Sequence, residues 1–233
     1  VARRAEEVST VVGGRTVRSR RAWLLLGAAV LCLLALVVGD RHVAVSQEEP
    51  PPPERPAYQE GFESGRVSGW ELGEGWQVRR SPRGGHALHG QGHGWARLVE
   101  GVWGDFTLRL ALNLVRGAIH INWRADGPRR CFLGIHREGL YLCKQMGPEA
   151  FSGELAHGDR GPGLNRWCQV EIRVERQGVQ VAVDGRRSLD FADPEPLPPG
   201  GIALEVVQGS EAWVDDILLE GIGSREPRGR EPT

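Results

Sequence analysis

Arg109, Asn113, His120, Asn122 and Arg124 are the side chains whose types and spacing best suit recognition of a polar ligand. Guanidinium, amide and imidazole groups make the directional hydrogen bonds that hydroxyl-rich molecules require. Phe132, His136, Tyr141 and Gln145 follow within a short stretch and add flat aromatic faces beside further polar groups. A solvated sheet face is the other use of such residues, and antiparallel sheets commonly have one. Glu205 is the acidic residue set in mid-strand, alternating away from Leu204 and Val206. Carboxylate-based hydrolysis of a glycosidic bond needs two such groups about 5–9.5 Å apart. The central strands supply no second carboxylate, so Glu205, His120 and His136 are the acid–base candidates.

Metal chemistry has thinner support. Asp215-Asp216 before the last strand, with Glu60 and Glu63 near the domain start, present hard oxygen ligands that suit a structural Ca²⁺. They fall short of the six to eight ligands such a site takes, and turn capping with surface charge is the alternative. His86, His89 and His93 match no helical ligand spacing, and neither HExxH, paired CxxC, Walker loop nor G-x-S-x-G is present. No cofactor is expected.

The elements that must position these residues read as strands. From Phe106 to Leu114 the apolar residues occupy every second position, with Thr107, Arg109, Ala111 and Asn113 between. Ile119, Ile121 and Trp123 then alternate with His120, Asn122 and Arg124. A period of two marks strands with one buried face. Arg116-Gly117 suits a two-residue hairpin loop. Such a loop sets Asn113 opposite His120, Ala111 opposite Asn122 and Arg109 opposite Arg124. Two like charges then face each other across the ladder, which an anion between them would relieve: Glu205 from within, or an acidic ligand from outside. A two-residue Glu138-Gly139 loop adds Phe132, His136, Tyr141 and Gln145 to the same face and puts Cys131 and Cys143 on opposite ones. A three-residue loop from Arg137 puts the two cysteines on the same face.

Length and composition bound the rest. The chain has 233 residues, room for one ordinary domain with appendages. A net charge of -1 gives no footing for nucleic acid. Arginine carries nearly all the positive charge, Lys144 being the single lysine. Residues 1–21 are polar and arginine-rich, and 22–39 run without a charge, close to the ~20 residues of a membrane-spanning helix. The arginines before that run put the N-terminus in the cytoplasm. Cleavage as a signal peptide near Ala44-Val45-Ser46 is the alternative; both place the rest outside the cytoplasm. Residues 40–57 form a proline-rich stalk suited to extended polyproline II, 58–222 the folded domain, and 223–233 a polar, disordered tail. Within 58–222, strand-length segments recur between glycine-rich turns, and Asp184-Gly185 is a strong hairpin signal. That pattern predicts an all-β, antiparallel two-sheet jelly-roll sandwich preceded by one transmembrane helix.

A set of motifs carries a family resemblance: Gly61-Phe62-Glu63 with Gly69-Trp70; Gly92-His93-Gly94-Trp95-Ala96-Arg97-Leu98; Trp103-Gly104-Asp105-Phe106; Val181-Ala182-Val183-Asp184-Gly185; and Ala212-Trp213-Val214-Asp215-Asp216 near the end. Together they resemble the concanavalin A-like lectin/glucanase jelly rolls, closest to laminin G-like domains and 3-keto-disaccharide hydrolases of the family-16-like type. The resemblance implies carbohydrate or glycoconjugate binding, and the apolar run at 22–39 makes this a membrane-anchored, extracytoplasmic domain in expectation. Its alternatives are a glycoside-hydrolase-like activity and a laminin G-like protein-adhesion module. The hydrolases usually carry an acidic motif on the strand after the central pair, where this chain reads Cys131-Phe132-Leu133-Gly134-Ile135-His136.

Overall fold

The computed structural model describes residues 58–148 and 151–224. The expected membrane helix, the segments flanking it and nearly all of the tail therefore lie outside the described residues. Thirteen strands and no helix make up the described part. They are β1 (Tyr58–Glu60), β2 (Trp70–Leu72), β3 (Trp76–Arg80), β4 (His86–Leu98), β5 (Val102–Arg116), β6 (Ala118–Asp126) and β7 (Arg129–His136). There follow β8 (Leu140–Gln145), β9 (Phe151–Gly158), β10 (Trp167–Glu175), β11 (Gly178–Val183), β12 (Arg186–Ala192) and β13 (Gly201–Ser224). The last strand runs two residues into the expected tail.

All pairings between strands are antiparallel, and two long strands bend from one layer of the sandwich into the other. The first part of β13, Ala203 to Val206, lies between β4 at Gly94–Arg97 and β6. Its second part, from Ser210, lies between β4 at Leu88–Gly92 and β5. The register breaks between Val206 and Ser210, where Gly209 at φ 78° and Gly92 at φ 95° take backbone angles that other residues adopt at a cost. Sheet one therefore reads β2-β4-β13-β6-β7-β8-β9, and sheet two β12-β11-β10-β5-β13 with β4, β3 and β1 beyond.

Between the layers lies the core. Leu108, Leu110, Leu112 and Leu114 of β5 are buried in one cluster with Ile119, Ile121 and Trp123 of β6 and Cys168, Val170, Ile172 and Val174 of β10. Full burial of each such side chain contributes about 1.5–3 kcal/mol. The apolar faces read from the sequence all point inward. Asp184 and Gly185 form the β11–β12 turn with both φ values positive, at 51° and 73°, as a type I′ hairpin requires.

The β5–β6 hairpin is a correction. These strands do not pair; β13 runs between them, and Arg116-Gly117 carries the chain from sheet two to sheet one. The polar faces of β5 and β6 thus point out of opposite sides of the sandwich. The β7–β8 turn is Arg137-Glu138, with Ile135 opposite Leu140. It lies one residue before a Glu138-Gly139 loop, which moves the pairing register by two, and an even register shift preserves which residues share a face. Cys131 faces the core and Cys143 the outer side. They are free, as is Cys168, and burial pushes each of the three thiols up to about 11.

Candidate functional site

The outer face of sheet one brings a row of side chains together across six strands. Trp95 of β4 pairs with Glu205 of β13, Glu205 with His120 of β6, His120 with Gly134 of β7, and Gly134 with Tyr141 of β8, which faces His157 of β9. Cross-strand partners project to the same side, so this register fixes the row. One step along lie Asn122 and Phe132, also paired, and beyond them Arg130 paired with Gln145. Gly134 has a particular role. A Cβ there would stand 2.0 Å from the Tyr141 ring, so the missing side chain lets the phenol lie across β7 toward His120.

Those residues form one hydrogen-bonded network. Glu205 is 7 % exposed. Its Oε2 accepts from His120 Nδ1 at 2.9 Å and from Arg130 Nη1 at 2.8 Å. An ionised carboxylate only accepts, so the imidazole proton sits on Nδ1. A neutral ring then presents Nε2 as acceptor, and the Tyr141 hydroxyl donates to it at 2.8 Å. Arg130 fans outward from the same place: Nη1 also donates to Asn122 Oδ1 at 3.1 Å and Nε to Gln145 Oε1 at 2.9 Å. Its guanidinium rests over Phe132 at 4.9 Å and Trp95 at 4.7 Å. His93 Nε2 stands 3.6 Å from Glu205 Oε1. His136 packs beside the Tyr141 ring, centroids 5.7 Å apart.

Charge states follow from these contacts. Burial alone would raise the Glu205 pKa. The hydrogen bond from His120 and the charge of Arg130 outweigh it and hold the carboxyl below its ordinary value. Burial raises the Tyr141 phenol, which keeps the proton it donates. Beside this network opens a groove of about 1220 Å³ whose lining includes Trp95, Arg97, Arg130 and Gln145. Gly201 and Ala203 line it as well, with Glu71 and Glu100.

No protein-family model matches the chain, and no curated protein matches it in sequence. Solved structures do. A carbohydrate-binding module, CBM66 from Bacillus subtilis, matches with a TM-score of 0.56 at 17 % identity, over 67 % of this chain and 98 % of its own. A galectin-like-fold protein of unknown function from Bacillus subtilis matches with 0.60 at 14 %, over 74 % and 99 %. Domain 4 of an extracellular family GH43 arabinanase from Geobacillus stearothermophilus, solved with arabinotriose, matches with 0.55 at 14 %, over 75 % and 95 %. The fold is the concanavalin A-like jelly roll. At these identities the likeness establishes architecture alone.

Of the residues expected on one ligand face, this jelly roll gathers His120, Asn122, Phe132, His136, Tyr141 and Gln145, and adds Glu205 to them. Arg109, Asn113 and Arg124 are corrections. Arg109 lies on the outer face of sheet two, ion-paired to Glu171 at 2.7 Å and Glu220 at 2.5 Å. Asn113 is on that same face, buried between its partners Trp167 and Trp213. Arg124 sits at a register break with φ 49°, and its buried guanidinium donates to the carbonyls of Gly104 and Arg176, fastening β6 to sheet two. Arg109 and Arg124 therefore never face each other, and neither pairs with Glu205; Arg130 does.

The calcium set is also corrected. Arg83 donates to Asp215 at 2.7 Å and to Asp216 at 2.5 Å, so a guanidinium already bridges that pair and offsets one of its two charges. Glu60 Oε1 accepts the Phe62 amide at 2.7 Å, and Glu63 is exposed. Among the described residues no three His, Cys, Asp or Glu side chains form a metal-sized group. Sequence reasoning missed Trp95, Arg130 and His93 as members of the site. Arg130 shares the parity of Phe132, a usable signal. Trp95 and His93 reach Glu205 only through the long-range β4–β13 pairing.

Proposed function

We propose that this domain binds carbohydrate on the outer face of sheet one, outside the cytoplasm, on a chain anchored through the apolar segment at 22–39. One observation carries the binding reading: Glu205, His120, Tyr141, Asn122, Arg130 and Gln145 form a single preorganised array of donors and acceptors beside Trp95 and a groove. Sugars need directional hydrogen-bond partners held in place and flat faces for their C–H surfaces. Both are present, and the groove exceeds the roughly 300–1,000 Å³ of ordinary ligand pockets. Solved neighbours that are carbohydrate-binding modules support the same reading. The anchoring and the location rest on the arginine-rich residues 1–21 before the apolar run.

A glycosidase would need a protonated acid and a second carboxylate. Glu205 is the one carboxyl inside this network, and its partners favour the ionised form, which suits a fixed hydrogen-bond acceptor. A groove likewise fits a sugar chain better than it fits the broad face of a protein-adhesion module. The test is a glycan array probed with the full chain in a non-glycosidic detergent. Binding to a subset of glycans, weakened about tenfold or more in His120→Ala and Tyr141→Ala, is expected. Absence of binding to any glycan, or equal binding by wild type and both variants, would overturn the reading.

A further inference from the structure

We infer that the groove takes an acidic glycan, one bearing carboxylate or sulfate groups, with Arg97 as the side chain that meets the anion. The inference rests on the carbohydrate reading and adds the substrate class.

Two arginines share one indole. Arg97 stands 5.2 Å from the Trp95 ring and Arg130 4.7 Å from it, and all three side chains line the groove. Their commitments differ. Arg130 spends Nε on Gln145 and Nη1 on Asn122 and Glu205. The Glu205 charge is thereby balanced inside the network and offers a ligand no net repulsion. Arg97 is exposed, and among the described residues it makes no ion pair. Glu71, its direct partner on β2, and Glu100 line the same groove, and neither makes an ion pair with it, so Arg97 is the cation there that is free to offset an incoming anion. Contact with Trp95 restrains the guanidinium while leaving its donors unspent.

A planar guanidinium with free donors, held at the wall of a groove, matches an oxyanion in two parallel hydrogen bonds. Neutral sugars gain nothing comparable from it. Ala203, paired with Arg97 across β4 and β13, also lines the groove and projects only a methyl group there. The surrounding groove would carry the rest of the sugar chain.

The experiment uses matched probes. Oligogalacturonate, oligoalginate and hyaluronan oligomers are each compared with their carboxyl-reduced forms, and heparan oligomers with their desulfated forms. Neutral β-glucan and arabinan oligomers complete the panel. Binding to the full chain in a non-glycosidic detergent is measured by calorimetry at low and high NaCl. The acidic member of at least one pair should bind about tenfold tighter than its neutral counterpart, as expected for one charge-assisted contact. That gap should shrink with salt. It should narrow in Arg97→Gln and be partly restored in Arg97→Lys, with thermal unfolding unchanged in both. The carboxylate and sulfate pairs tell which anion is recognised. Equal binding within every pair, or binding of neutral glycans alone, overturns the acidic class and leaves carbohydrate binding standing. No binding to any probe removes the carbohydrate reading itself.

Discussion

Replacing Glu205 with Gln takes one charge from the centre of the network and keeps its shape. The wild-type side chain is 9 % exposed and accepts from His120 at 2.9 Å and Arg130 at 2.8 Å. Both donors meet the same oxygen, Oε2, so an amide oxygen in its place can keep both hydrogen bonds, but each loses its charge assistance. A hydrogen bond to a charged group contributes about 1.5–3 kcal/mol, and a buried amide is less costly than a buried carboxylate. The expected loss at neutral pH is therefore about 1–3 kcal/mol. The pH dependence follows from the direction of the shift. Glu205 has a folded-state pKa below its ordinary value. The stability it contributes is full above the unfolded carboxyl value of about 4.3 and is lost as pH falls through the folded one. Wild type loses this contribution in acid; the variant has none to lose. Urea unfolding of both proteins, followed by tryptophan fluorescence from pH 7 down to roughly pH 3.5, should show the difference largest at neutral pH and closing in acid. A difference that stays constant or widens as pH falls would refute the argument that the charge, rather than the shape, holds the network.

Four further outcomes are expected. Trp123, 2 % exposed in the core, should cost about 3–5 kcal/mol when replaced by Ala, and a loss under about 1 kcal/mol in a urea titration would contradict its packing. Gly134→Ala should push the Tyr141 ring off His120 and weaken glycan binding more than it lowers the unfolding midpoint; unchanged binding would place Tyr141 outside the site. Lys144 meets Asp193 at 2.6 Å, both side chains below a tenth exposed. Lys144→Met alone should therefore cost about 3–5 kcal/mol, with much of it recovered when Asp193→Asn is added; a double variant no more stable than the single one argues against the pair. Protease added outside intact cells should reach the folded domain and spare residues 1–21, whereas recovery of the whole chain in the soluble cytoplasmic fraction would exclude the anchored topology.

The layer of each strand was legible in the sequence to a different degree from its buried face. Period-two alternation located the inward residues of β5, β6 and β10 correctly, because burial acts on each strand separately. Alternation is blind to whether two consecutive strands pair within a sheet or face each other across the core. Leu112 and Ile121 point inward in both cases. The tight Arg116-Gly117 connection looked like a hairpin loop because both arrangements need a sharp reversal at that point. What decides is β13, some ninety residues later, whose Ala203–Val206 segment pairs with β6 while its later residues pair with β5. No local signal near Gly117 encodes that insertion. Asp184-Gly185 was readable because a two-residue I′ turn makes its own demand on backbone angles, independent of distant strands.

The same distinction explains which site residues were found. His120, Asn122, Phe132, His136, Tyr141 and Gln145 lie on the consecutive strands β6, β7 and β8, which pair in sequence order. A one-residue error in the β7–β8 turn shifted the cross-strand register by two and left their shared face untouched, since parity survives an even shift. Arg109 and Asn113 were joined to that face only through the supposed hairpin, and they left with it. Arg124 failed for a separate reason: the register breaks between Trp123 and Asp126, and beyond such a break parity no longer reports the face. The like-charge argument that called for an anion near Arg109 and Arg124 thus rested on a pairing that does not exist. An arginine does hold Glu205, but it is Arg130, reached from Phe132 by counting back two residues. Local pairing makes a ligand face predictable along a meander. A residue brought in from a distant strand, as Trp95 is, becomes visible only when the register of β4 against β13 is known.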